Sequence, residues 1–173
     1  MTGKDFMNAV ANGTADVVQM FLDTLDELDI DYCVIGGLAV NAYIEPVVSL
    51  DIDMVIAADN IEKVCDAVAK EFGIEQFPHS INLTSSESDL RIQLQTDSRY
   101  QQFLRNATVR QVLGYQMRVA ALEDVLQGKI WAYCDEERRL SKRQKDLADI
   151  LRIVEAYPVL EEKLPASVRE MLK

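Results

Sequence analysis

The chain has 173 residues, 49% of them hydrophobic and 27% charged, with a net charge of −11. That is enough apolar material for one domain with its own core. No apolar run approaches the ~20 residues of a membrane helix, and the acidity disfavours non-specific nucleic-acid binding. The start, Met1 to Asp5, lacks the basic-then-apolar pattern of a secretory signal, so a cytoplasmic location is the default expectation. Cys33, Cys65 and Cys134 are odd in number and far apart, which argues against a disulfide framework or a CxxC metal site. His79 is the only histidine, so a histidine-based triad or a multi-histidine zinc site is nearly excluded. The charge is uneven. Residues 1–73 hold 14 acids and 3 bases, whereas residues 74–173 hold 15 of each. Arg138, Arg139, Lys142, Arg143 and Lys145 fall within eight residues, as a solvated helix start or as a cluster that meets a triphosphate or an RNA end.

In chain order, little disorder is expected except at the ends. Residues 14–28 place Val17, Phe21, Leu25 and Leu28 at helical spacing, with Thr14 as the expected N-cap. Residues 31–35 form a short β-prone run broken by Gly36-Gly37, and residues 38–44 are helical. Residues 49–57 alternate: Leu50, Ile52, Met54 and Ile56 on one face, Ser49, Asp51, Asp53 and Val55 on the other. Residues 59–72 form a helix closed by Gly73 as C-cap. One or two short strands with a turn near Pro78 follow over residues 74–85. Residues 88–96 alternate again, with Leu90, Ile92 and Leu94 inward and Asp89, Arg91, Gln93, Gln95 and Asp97 opposite. Residues 98–106 form a short helix, and residues 108–113 and 115–120 a hairpin across Gly114. The chain then turns helical over residues 121–134 and 141–156, the second capped by Ser141, with Pro158 and Pro165 flanking short terminal helices. The expected organisation is an α/β core over residues 1–134 and a helical extension over residues 135–173 packed on it.

Two aspartates one residue apart on a strand point the same way, with Cα atoms roughly 6–7 Å apart. They are suited to share one or two Mg²⁺ ions, because Mg²⁺ takes a few carboxylates and completes its shell from phosphate and water. Taken alone, the Asp51-Ile52-Asp53 pair is more often an exposed strand face. Gly36-Gly37 at a strand end lets backbone N–H groups approach a phosphate closely. Taken alone, it is more often a tight turn.

Together, Val34-Ile35-Gly36-Gly37-Leu38-Ala39 and Ser49-Leu50-Asp51-Ile52-Asp53 resemble the signature of the nucleotidyltransferase superfamily, the DNA polymerase β-like fold. Downstream, Ser141-Lys142-Arg143-Gln144-Lys145-Asp146-Leu147-Ala148-Asp149-Ile150 is similar to the basic KDxxDI helix of minimal bacterial nucleotidyltransferases and of AbiEii-like toxins. The resemblance spans about residues 14–156. It implies an α/β fold with a mixed sheet flanked by helices, and Mg²⁺-dependent transfer of a nucleoside monophosphate from ATP or another NTP to a hydroxyl. It also implies Asp51 and Asp53 as catalytic metal ligands, and Gly36, Gly37 and Ser49 facing phosphate. Lys129 and Lys145 are the implied phosphate contacts, with Lys129 a solvated helix residue and Lys145 and Asp146 a helix–helix lock as the alternatives. The implied acceptor is a protein, an RNA end or a small molecule, and an antitoxin-type protein is an implied partner. One departure stands out. The superfamily supplies a third carboxylate from a neighbouring strand, and here that position is Gln93, an amide that is no base and a poorer Mg²⁺ ligand. Asp89 and Asp97 share its face but lie roughly 13 Å along the strand. The alternative function is therefore a catalytically impaired nucleotide-binding or toxin–antitoxin interaction module.

Overall fold

The computed structural model describes residues 1–173. Seven strands form: β1 Tyr32–Ile35, β2 Asp51–Ile56, β3 Gly73–Phe77, β4 Ser80–Ser85, β5 Ser88–Gln95, β6 Thr108–Val112 and β7 Tyr115–Val119. Seven α-helices accompany them: α1 Gly3–Val10, α2 Val17–Glu27, α3 Gly36–Val40, α4 Ile61–Val68, α5 Leu122–Cys134, α6 Leu140–Ala156 and α7 Ala166–Arg169. The strands join into one sheet of order β3-β4-β5-β2-β1-β7-β6. The sheet is mixed: β2 runs antiparallel to β1 and parallel to β5, and β1 runs parallel to β7. An α/β architecture with helices around a mixed sheet is what the family resemblance implied.

Alternation along β2 and β5 does the sorting. Ile52, Met54, Ile56, Leu90, Ile92 and Leu94 are buried, while Asp51, Asp53, Arg91 and Gln93 remain partly accessible. Each of those large apolar side chains contributes about 1.5–3 kcal/mol by leaving water. The same core takes in Phe21 and Leu25 of α2, Val64 and Val68 of α4, and Ile150, Ile153 and Val154 of α6. The Phe21 and Phe72 rings meet edge to face at 6.0 Å. The hairpin between β6 and β7 turns on Leu113 (φ +50°) and Gly114 (φ +85°), the paired positive φ values of a tight two-residue turn.

Several boundaries differ from expectation. The N-terminus is ordered as α1, because Thr2 and Asp5 form a reciprocal capping box. Helix α2 starts late: Asp16, not Thr14, accepts the Gln19 N–H, while the Thr14 hydroxyl bonds Glu87. Gly36 and Gly37 lie inside the first turn of α3 rather than before it. Helix α4 ends at a C-cap on Ala69, so Gly73 begins β3 instead of capping a helix. Residues 98–106 wind as a 3₁₀ helix. Helix α6 begins at Leu140 and has no side-chain cap, so Ser141 sits exposed within its first turn.

Candidate active site

The two aspartates sit where three strands meet. Strand register places Asp53 beside Ile35 of β1 and Gln93 of β5, and Asp51 beside Arg91. Their face of the sheet looks toward α5 and α6, and a cavity of about 150 Å³ lies between. Gly36, Asp51, Asp53, Gln93, Lys129 and Lys142 are among its lining residues.

Gly36 is the tightest joint. It adopts φ +69°, and a Cβ there would stand 2.2 Å from the Asp53 Oδ2. Only glycine meets both conditions, since other residues pay for left-handed backbone and real Cβ atoms need more room. Gly37 is under no such constraint, its added Cβ reaching only to 4.0 Å from Asp149 Oδ2. Helix α3 has five residues, so its dipole is small and any phosphate cradle here rests on the backbone N–H groups of the turn.

The two carboxylates are treated differently. Burial alone would raise the Asp51 carboxyl, but Lys142 and Arg91 outweigh it and hold it below the usual carboxylate range. Arg91 donates from Nε at 3.0 Å and Nη2 at 2.7 Å to Oδ1, and Lys142 donates from Nζ at 3.0 Å to Oδ2. Asp53 has no such partner. Burial pushes its carboxyl above the usual range, opposed through space by Lys129 and reinforced by Asp51.

A sunken carboxylate without a donor either keeps its proton or takes a cation as partner. Asp53, Asp51 and the Gln93 amide oxygen suit a hard dication that draws its remaining ligands from phosphate and water. They form no closed cage, and nowhere do three or more His, Cys, Asp or Glu side chains converge as one. Asp51, Asp53 and Gln93 would hold a hard dication such as Mg²⁺ only with further ligands supplied from outside the chain.

Behind the cavity, α5 and α6 are bolted by charge. Lys129 Nζ lies 2.9 Å from Asp146 Oδ1 and 2.8 Å from Asp149 Oδ2, with all three side chains nearly fully buried. The second contact is an ion pair poorly aligned for hydrogen bonding. Arg138 closes on the other Asp146 oxygen and Arg152 on the other Asp149 oxygen. Burial works against the Lys129 ammonium, yet the two carboxylates overcome it and hold its pKa above the ordinary value.

No family model and no curated protein sequence matches this chain. Solved structures do. ANT(2'')-Ia in complex with adenylyl-2''-tobramycin superposes with a TM-score of 0.64 at 16% identity, over 91% of this chain and 97% of that one. Lincomycin-bound LnuA, a lincosamide antibiotic adenylyltransferase, gives 0.56 at 14%, over 82% and 98%. An antigenic nucleotidyltransferase-like protein from Paracoccidioides brasiliensis gives 0.54 at 23%, over 80% and 73%. This chain has the nucleotidyltransferase fold.

Within that fold, the residues singled out from sequence separate into two groups. Gly36, Asp51, Asp53 and Lys129 line one cavity. Gly37, Ser49 and Lys145 do not: Ser49 Oγ turns back to the Asp51 backbone at 3.3 Å, and Lys145 is exposed on α6. Lys142, three residues earlier, reaches the cavity instead. Asp89 is exposed and accepts from Asn12, and Asp97 holds Arg99, so neither replaces the missing strand carboxylate. Sequence reasoning gave no site role to Arg91 or Asp124 and set Asp146 against Lys145 rather than Lys129, while Arg138, a member of the basic cluster, does line the cavity. A signal for Asp146 existed: Lys129 falls among Val125, Leu126 and Ile130 on the apolar side of its helix, and a lysine there demands a buried acid.

Proposed function

We propose that this chain is a divalent-cation-dependent nucleotidyltransferase that moves a nucleoside monophosphate from an NTP to a hydroxyl on a small molecule. The observation that carries this reading is the seating of the Asp53 carboxylate, without a donor, against the Gly36 turn in the cavity that Asp51 also lines. The turn would offer backbone N–H groups to the phosphates, and Asp51 and Asp53 would hold the dication. Bound there, the dication would neutralise charge on the phosphoryl oxygens. The acceptor oxygen would attack the α-phosphorus, the bond to the bridging oxygen would break, and pyrophosphate would leave. The acceptor proton would pass to solvent or to Asp124, the fourth carboxylate of the lining, because Gln93 is no base and both Asp146 oxygens are taken by cations. A small acceptor suits a net charge of −11, which repels polyanions. The adenylyl-tobramycin and lincomycin carried by two similar structures are likewise small hydroxyl compounds.

The test is pyrophosphate release with each NTP and a panel of hydroxyl acceptors, for the wild type and for Asp51→Asn and Asp53→Asn. Release that needs Mg²⁺ and is lost in both folded variants supports the proposal; equal release from variant and wild type sinks it. A second reading is a nucleotide-binding protein without turnover, and Gln93 in register with Asp53 favours it. That reading predicts Mg²⁺- and NTP-dependent thermal stabilisation with no pyrophosphate released under any acceptor.

A further inference from the structure

The charged side chains lining the cavity balance, four carboxylates against four cations. Their mobility does not. Lys129 is locked, its side chain 8% exposed between two acids. Arg91 and Lys142 are 38% and 39% exposed and meet at one carboxylate, taking both oxygens of Asp51. Lys142 stands in the first turn of α6, where its N–H bonds the Arg139 carbonyl at 3.0 Å, so its freedom lies in the side chain. Arg138, at 36%, is similarly exposed but holds Asp146 beside the locked Lys129, so Arg91 and Lys142 are the mobile pair that occupies the carboxylate a dication would need.

We propose that Lys142, with Arg91, is an internal counterion that fills the cation position at Asp51 in the free protein and is handed over to phosphate when metal-bound nucleotide arrives. This inference rests on the nucleotidyl-transfer reading above. A neutral, internally paired site gains little from a bare dication, which must first displace an ammonium from Asp51. A ligand that brings anionic oxygens with the metal gives the displaced ammonium a new partner. Metal and phosphate then bind with positive coupling. Lys142 acts here as a positioning residue, in that its exchange of partners sets the order of binding.

The experiment uses the full chain, Mn²⁺ followed by its paramagnetic resonance signal, and inorganic tripolyphosphate as a base-independent probe followed by calorimetry. Lys142→Met is compared with wild type, with Lys142→Arg as the conservative variant and Lys70→Met as a control for net charge. Thermal melts verify that each variant is folded. For a half-exposed pair the expected change is about threefold. Lys142→Met binds bare Mn²⁺ about threefold more tightly and tripolyphosphate with Mn²⁺ about threefold more weakly, while Lys142→Arg returns both toward wild type. Opposite signs are the signature, since a lysine that only props the fold would shift both ligands together. Both ligands binding wild type, with Lys142→Met moving them in one direction or moving neither, overturns the hand-over and leaves the transfer reading intact. Failure of wild type to bind either ligand overturns both.

Discussion

Gly36 and Asp53 stand so close that a Cβ on the glycine would lie 2.2 Å from the carboxylate oxygen. The glycine also holds φ +69°. Gly36→Ala must therefore distort the backbone and push Asp53 out of place. Left-handed backbone alone costs about 1–2 kcal/mol, so a total near 3 kcal/mol is expected. Gly37→Ala meets only an atom 4.0 Å away and has ordinary φ, so its fold should hold. Thermal melts of the two variants, read with Mn²⁺ binding, separate them: loss of stability and of metal in Gly36→Ala only. Equal loss in both would mean that the turn as a whole, and not its contact with Asp53, is what matters.

The Lys129 network makes a different forecast. Removing the ammonium leaves Asp146 and Asp149 facing each other inside the protein, each with one outer arginine remaining. Lys129→Met should cost about 3 kcal/mol in urea unfolding, the usual range for breaking a buried pair from one side. Asp146→Asn, which keeps an acceptor for Lys129, should cost less. A loss below about 1 kcal/mol for Lys129→Met would show that α5 and α6 are held by their apolar contacts alone.

The two aspartates should pull the pH dependence in opposite directions. Asp51 sits below the usual range because Lys142 and Arg91 outweigh its burial. Its contribution is present above the unfolded value and is lost as the pH falls through the lowered folded value. Asp53 sits above the usual range through burial. The folded state then holds its proton longer than the unfolded state, so raising the pH through that window lowers stability, and the cost persists at neutral pH. Asp53→Asn is therefore expected to raise the metal-free melting temperature at pH 7 by a few degrees and to flatten the fall in stability above the unfolded value. Asp51→Asn is expected to lower it, by no more than about 1 kcal/mol for a half-exposed pair. Melts from pH 4 to 8 without metal test both signs. Destabilisation by Asp53→Asn at pH 7 would mean that the carboxylate has a partner in solution.

These contrasts mark what the sequence made legible. Strand alternation is a local rule, so the common face of Asp51 and Asp53 and the inward Leu90, Ile92 and Leu94 followed from spacing alone. Gly36 was legible as special, but its partner was not, because Ile35 and Asp53 come together only through the β1–β2 register. The choice of Lys142 over Lys145 was hidden in helix phase. Lys142, Asp146, Asp149 and Ile153 recur at helical spacing along the side of α6 that turns inward, and Lys145 falls outside that stripe. A basic cluster read as composition does not say which member points where. Arg91 was visible on the site-facing side of its strand, yet only the pairing of β2 with β5 makes it the partner of Asp51.

Gln93 offers the sharpest remaining test, because it is the strand neighbour of Asp53 in register. An acid there would place a third carboxylate on the same cavity wall. Ligand charge count tunes dication affinity by orders of magnitude, so Gln93→Asp should tighten Mn²⁺ binding about tenfold. It should also lower metal-free stability, because like charges now crowd Asp53 in a partly desolvated place. If nucleotidyl transfer is the activity, pyrophosphate release should rise in step with metal occupancy, since the new carboxylate can also accept the acceptor's proton. Tighter metal without faster release would assign the chain to nucleotide binding. Unchanged metal affinity with lowered stability would mean that the cation is held from the Gly36 side of Asp53, away from β5.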